Sequence, residues 1–132
     1  MRRFFQWLGS TRRLGPRAER AAAAYLRQQG YRLLGRNLRN RFGEIDLLAE
    51  DPADRTLAVV EVKAATSEQP GPEVHLNEAK RRKLSGLAAQ LVRDYRLGDR
   101  RVRFDLIAVV WPTDRRRPVR LDHHRNAFGS VF

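Results

Sequence analysis

Glu61-Val62-Lys63 places a carboxylate and an ammonium two residues apart, and Glu44-Ile45-Asp46 spaces two carboxylates the same way. Residues two apart on a strand point to the same face. Glu44 and Asp46 therefore project together, as do Glu61 and Lys63, while Val60 and Val62 face the opposite way. If the two strands are neighbours, one side of a sheet gathers three carboxylates and one ammonium. Uncompensated, that group is expensive to desolvate. A hard divalent cation with oxygen ligands removes the cost, and Mg2+ is the default, with Mn2+ as a substitute.

Phosphodiester hydrolysis needs such a set. A metal polarises the phosphoryl oxygen and lowers the pKa of a bound water. Lys63 can stabilise negative charge in the transition state or help orient that water. With 24 Arg and three Lys in the chain, a lysine is the less expected cation, and a guanidinium does not replace a compact ammonium in that role. The bland alternative is a solvated strand face with a cross-strand ion pair. Glu-x-Lys alone does not exclude it. Asp46, a spacer of 14 residues, then Glu61 and Lys63 at strand positions is more specific.

Charge placement agrees with the chemical reading. The formal net charge is +12 over 132 residues, which favours a densely anionic partner, with nucleic acid first and an anionic membrane surface as competitor. Residues 1–41 hold 11 Arg and one acid, Glu19; residues 42–79 hold nine acids against Arg55 and Lys63; residues 80–132 hold 14 basic residues against five acids. Basic flanks around a carboxylate cluster suit a metal site that must receive a polyanion. Glu50, Asp51 and Asp54 read as loop acids with no part in the chemistry. No stretch approaches the roughly 20 apolar residues of a membrane span, and the broken apolar run after Arg2-Arg3 is no signal peptide. Cysteine is absent, so neither disulfides nor thiolate metal sites are available, which fits a cytoplasmic location.

The elements that must position these residues can be read in turn. Residues 1–13 form a basic N-terminal arm, and 14–132 are long enough for one domain with one core. Pro16–Gln29 reads as an amphipathic helix with Ala18, Ala21, Ala22, Tyr25 and Leu26 on one stripe, Gly30 as its stop, and Glu19 at the stripe's edge where it would be partly buried. Extended segments follow at Tyr31–Leu38 (interrupted by Gly35), Phe42–Ala49 and Thr56–Lys63, with short links that imply hairpin-like pairing. Ala64–Glu73 is a loop. A long helix is expected over Asn77–Arg96, with Leu84, Leu87, Ala88, Leu91, Val92 and Tyr95 as its core stripe. Lys80-Arg81-Arg82-Lys83 lies in its first turns, where the macrodipole prefers acids. Val102–Trp111 is a strand whose continuous apolar run suggests a sheet covered on both faces, and Val119–His124 is a final edge strand. The order α-β-β-β-α-β-β implies an α/β fold with a mixed sheet flanked by helices.

Gly43-Glu44-Ile45-Asp46-Leu47-Leu48-Ala49 followed by Val60-Glu61-Val62-Lys63 resembles the YraN-like family of small bacterial proteins. That family is similar to Holliday junction resolvases of the PD-(D/E)xK nuclease superfamily. The resemblance runs from about Leu14 to Phe128 and takes in Ala18-Glu19, Gly30-Tyr31, Arg36-Asn37, Lys80 with Leu84, Arg103-Phe104-Asp105 and Asn126-Ala127-Phe128. It implies a restriction-endonuclease-like sheet and a metal-dependent nuclease acting on branched or structured DNA. Asp46, Glu61 and Val62 would hold the metal, Lys63 would be the catalytic lysine, Glu19 a helix-borne acid and Glu44 an auxiliary carboxylate. The family continues Glu-x-Lys with a hydroxyl or basic residue, whereas this chain has Ala64 and Ala65. That departure removes a possible phosphate contact.

Lys80, Arg81, Arg82, Lys83, Arg36 and Arg41 are candidate contacts to the nucleic-acid backbone, with a solvated helix face as the alternative for the run. Asp105 beside Arg103 reads as structural. His75, His123 and His124 match no ligand spacing, and Trp111 reads as a packing residue. A symmetric junction cutter would be expected to form a homodimer. The competing function is a non-catalytic basic adaptor that binds nucleic acid or the ribosome and retains the nuclease fold; metal dependence separates the two.

Overall fold

Segments rich in Val, Leu and Ile pair here in their order along the chain. The structure, a computed structural model, describes residues 6–7, 14–40, 43–69, 71–72, 82, 85–90, 93 and 100–127. Its strands are β1 (Gln6–Trp7), β2 (Arg32–Asn40), β3 (Gly43–Glu50), β4 (Leu57–Ala65), β5 (Val102–Val110) and β6 (Arg120–His124), and its long helix is α1 (Leu14–Gln28). The strands form one sheet in the order β1-β2-β3-β4-β5-β6. Neighbours are antiparallel except β4 and β5, which run parallel from Leu57↔Val102 to Ala65↔Val110.

A parallel pair needs a crossover connection. The intervening chain includes helical residues 85–90, whose Leu87 and Ala88 pack with Ile45, Leu48, Val59 and Phe104. On the other face, Ala18, Ala22, Ala23 and Leu26 of α1 pack against Leu47, Ala49, Ala58, Val60, Ile107 and Val109. The sheet is thus covered on both sides. This explains why β5 lacks polar alternation, with every residue from Phe104 to Val110 buried.

The Ala-rich middle of α1 favours helix intrinsically, and Gly30 ends it. Gly30 adopts φ +89°; its N–H donates to the Arg27 carbonyl at 3.0 Å and the Tyr31 N–H to the Leu26 carbonyl at 2.9 Å. That is the paired closure of a left-handed helix stop. In β2 the register slips between Leu33 and Gly35, and a Cβ at Gly35 would lie 2.7 Å from a Leu38 methyl.

The α/β class and the mixed sheet flanked by helices match the expectation from sequence. The expected order is extended by β1, which precedes α1 within the stretch read as an arm and pairs Gln6 with Arg39 and Trp7 with Leu38. The expected Asn77–Arg96 helix is helical at 82, 85–90 and 93, and its other residues lie outside the described ones. Among the described residues no helix is long and apolar enough to cross a membrane.

Candidate functional site

The β3–β4 ladder runs from Glu50↔Leu57 to Leu47↔Val60 and stops. The next positions are Asp46 and Glu61. Beyond them the Val62 N–H donates to Asp46 Oδ2 at 2.8 Å, so a carboxylate stands where a main-chain acceptor would have continued the sheet. On its other side β4 stays paired to β5 through Glu61↔Leu106, Val62↔Ile107 and Lys63↔Ala108. Glu61, Val62 and Lys63 are therefore held rigidly along one edge and meet a carboxylate at the other.

Lys63 Nζ lies 3.7 Å from Glu61 Oε1, with the two side chains 20% and 8% exposed. That separation is an ion pair, longer than a hydrogen bond. Asp46 is partly buried. Burial, then the neighbouring charge of Glu61, push its carboxyl well above its ordinary value, with Glu19 and Glu44 adding to the effect and the Val62 N–H opposing it. Glu19 reaches the same place from α1. Its carboxyl is also raised, first by burial and then by Glu44 and Glu61, against a hydrogen bond from Asn37 and the charge of Arg36. Glu44 is exposed at the rim.

The structure thus brings Glu44 and Glu61 within electrostatic reach of both Glu19 and Asp46, with Lys63 paired to Glu61. Among the described residues, no three His, Cys, Asp or Glu side chains converge tightly enough to cage a metal by themselves. Mg2+ does not require such a cage, because it commonly keeps several waters and takes only one or two carboxylates. Buried Glu61 and partly buried Asp46 are two carboxylates that repel each other, and a divalent cation relieves the repulsion. Val62 packs its side chain beside the core under α1, so it can offer a metal only its main-chain carbonyl. This donor set fits a hard divalent ion.

Ala64 and Ala65 close β4 against Val109 and Val110. Of the candidate backbone contacts, Arg36 is half-buried and acts on Glu19, and Arg82 is exposed. Lys80, Arg81, Lys83 and Arg41 lie outside the described residues, as does His75.

A second charged cluster lies on the α1 side of the sheet. Arg103 donates through Nε to Asp105 Oδ1 at 2.9 Å, through Nη1 to Asp51 Oδ2 at 2.6 Å and through Nη2 to the Tyr31 hydroxyl at 2.6 Å. Asp105 also meets His123 Nε2 at 2.8 Å and accepts from the Asn126 N–H at 3.0 Å. Arg125 reaches Asp51 at 2.7 Å. Burial works against ionisation of Asp51 and Asp105, but these donors outweigh it and hold both carboxyls below their ordinary values. A fully satisfied network of this kind fastens the start of β5 to the β3–β4 turn and β6. The structural reading of Asp105 is supported by these contacts.

Asp51 is no solvated loop acid: it is 3% exposed. Glu50 pairs with Arg100 and Arg55, and Asp54 accepts from the Thr56 N–H at 3.0 Å within the turn. Trp111 is buried, donates to the Arg115 carbonyl at 3.0 Å and carries the Arg17 guanidinium 4.1 Å above its ring. Asn37, to which strand alternation assigns no role, is buried beside Glu19.

Residues 18–109 match the family described as "Uncharacterised protein family UPF0102". A UPF0102 protein of Rhodopirellula baltica is 37% identical over 119 residues, covering 89% of this chain and 71% of that protein. A UPF0102 protein of Pelobacter propionicus is 37% identical over 122 residues, covering 92% and 86%. One from Trichlorobacter lovleyi is 39% identical over 120 residues, covering 90% and 92%. The chain belongs to the UPF0102, or YraN, family.

Proposed function

We propose that this protein is a Mg2+-dependent endonuclease that hydrolyses phosphodiester bonds in DNA. The observation that carries the reading is the fork between β3 and β4, where Asp46 and Glu61 meet with Lys63 beside them. A purely binding protein gains nothing from two adjoining carboxylates that repel phosphate. Asp46, Glu61 and the Val62 carbonyl would hold the ion; when bound, it polarises the phosphoryl oxygen and makes a water acidic enough to attack.

The chain's own residues supply the rest. In the displacement, the water gives up a proton to solvent as its oxygen bonds to phosphorus, while the sugar oxygen leaves with the electron pair of its broken P–O bond and takes up a proton from solvent. Lys63 remains cationic, and its partly exposed ammonium can donate to a phosphoryl oxygen as charge grows there. Glu61 keeps that ammonium at the fork. Glu19 and Glu44 add negative potential that favours a cation at this spot. The basic flanks draw in the polyanion, including exposed Arg82 and the run Lys80, Arg81 and Lys83 that surrounds it. Preference for branched or structured DNA rests on the resemblance to Holliday junction resolvases, as does a homodimer that would present two such sites.

The test is cleavage of labelled four-way junction, flap, single-stranded and linear duplex DNA with Mg2+, Mn2+ or EDTA. Metal-dependent cutting with preference for the junction or flap is expected. Tight binding with no cutting under any metal would instead support the non-catalytic adaptor.

A further inference from the structure

Asn37 stands opposite Asp46 in the β2–β3 ladder, between the pairs Arg36↔Leu47 and Leu38↔Ile45. Its φ is +49°, a left-handed conformation that Asn tolerates better than most residues with a side chain. That backbone turn takes its side chain out of simple strand alternation. The residue is 8% exposed, and its side chain hydrogen-bonds Glu19. An ionised carboxylate only accepts, so the amide nitrogen is the donor and the orientation of the amide is set.

The other end of that amide is Oδ1, which is buried and has no hydrogen-bond partner among the described residues. Buried polar atoms are nearly always satisfied, so such an orphan calls for an explanation. Its surroundings are rich in acceptors: Glu19 is held by the Nδ2 of the same amide, Asp46 lies across the ladder, and Glu44 and Glu61 are close enough to act on both carboxylates. What suits an orphan acceptor among carboxylates is a cation or a water polarised by one.

We propose that Asn37 is a positioning residue of the metal centre, its Nδ2 holding Glu19 and its Oδ1 accepting a hydrogen bond from a water on the bound cation. This rests on the metal-dependent reading of the same site. Second-layer partners of this kind change metal affinity by about 10–100-fold when removed.

The test is calorimetric titration of the full-length protein with Mn2+ alone, with circular dichroism and thermal melts run in parallel. Asn37→Gly keeps the left-handed backbone and deletes the amide; it should fold and bind Mn2+ about tenfold more weakly. Asn37→Asp also tolerates that backbone and keeps an acceptor but loses the donor that holds Glu19, so it should bind Mn2+ more tightly than Asn37→Gly. A part played only in folding would not be rescued in this way. Equal Mn2+ affinity in wild type and Asn37→Gly would overturn the role of Asn37 while leaving the metal site standing. If Asn37→Gly does not fold, Asn37→Ala, which also removes both ends of the amide, decides in its place: Mn2+ binding about tenfold weaker upholds the proposal, and wild-type affinity overturns it. Wild-type protein that takes up no Mn2+ would overturn the metal reading itself, and this proposal with it.

Discussion

Asp105→Ala should cost a large fraction of the folding free energy without touching the chemistry. Asp105 is fully buried and accepts from Arg103 twice, at 2.9 and 3.2 Å, and from the Asn126 N–H at 3.0 Å, with His123 at 2.8 Å. Deleting its carboxylate leaves the mostly buried Arg103 guanidinium with only Asp51 to balance it. Breaking one side of a buried ion pair costs about 3–5 kcal/mol, set against a total of roughly 5–15 kcal/mol for a domain. Urea unfolding measures it directly: with a slope of about 2 kcal/mol/M, the midpoint should fall by about 2 M. The pH dependence adds a signed check. Because the folded carboxyl of Asp105 is held below its ordinary value, it contributes stability above that ordinary value and loses it as pH falls through the folded value. The alanine variant lacks that contribution, so its stability should decline less steeply on acidification. A loss below about 1 kcal/mol would refute the claim that this network is buried and integral. Loss of DNA cleavage in protein shown to be folded would move Asp105 into the active site.

The opposite sign is expected at Asp46. Burial and Glu61 raise its carboxyl well above the ordinary value, so the metal-free protein loses stability as pH rises from the ordinary carboxylate range through the folded value. Asp46→Asn should therefore melt higher than wild type at pH 7 in EDTA, converge with it below about pH 4, and gain nothing from Mn2+; a lower melting point at pH 7 would contradict this. Lys63→Ala should reduce cleavage by about 100–1000-fold while sparing most DNA binding, and Lys63→Arg should not restore it. Single-turnover kinetics on a junction substrate decide that point. Gly30→Ala forces a side chain into a left-handed stop and against Pro52 at 3.3 Å, costing about 1–2 kcal/mol in urea unfolding with cleavage unchanged.

Much of this architecture is legible in the residues, and the illegible parts have physical causes. The helix stop at Gly30 follows from conformational freedom and was readable, as was the doubly covered sheet from the unbroken apolar run of β5. The two residues of β1 carry no alternation that could reveal a strand. Periodicity assigns Glu44 and Asp46 to one face but not their depth, and only the structure separates the exposed Glu44 from the partly buried Asp46. Alternation also presumes extended backbone, so it is silent about Asn37, whose positive φ redirects it. The turn acid Asp51 resembles any solvated loop residue until Arg103 and Arg125 arrive from 52 and 74 positions away.

The most direct measurement compares wild type with Glu61→Ala on a labelled four-way junction, in Mg2+ and in EDTA, with binding followed on the same samples. Wild type should cut in Mg2+ only, the variant should not cut, and both should bind the junction with similar affinity. Equal cutting by Glu61→Ala, or cutting by wild type that persists in EDTA, would contradict the metal-dependent reading.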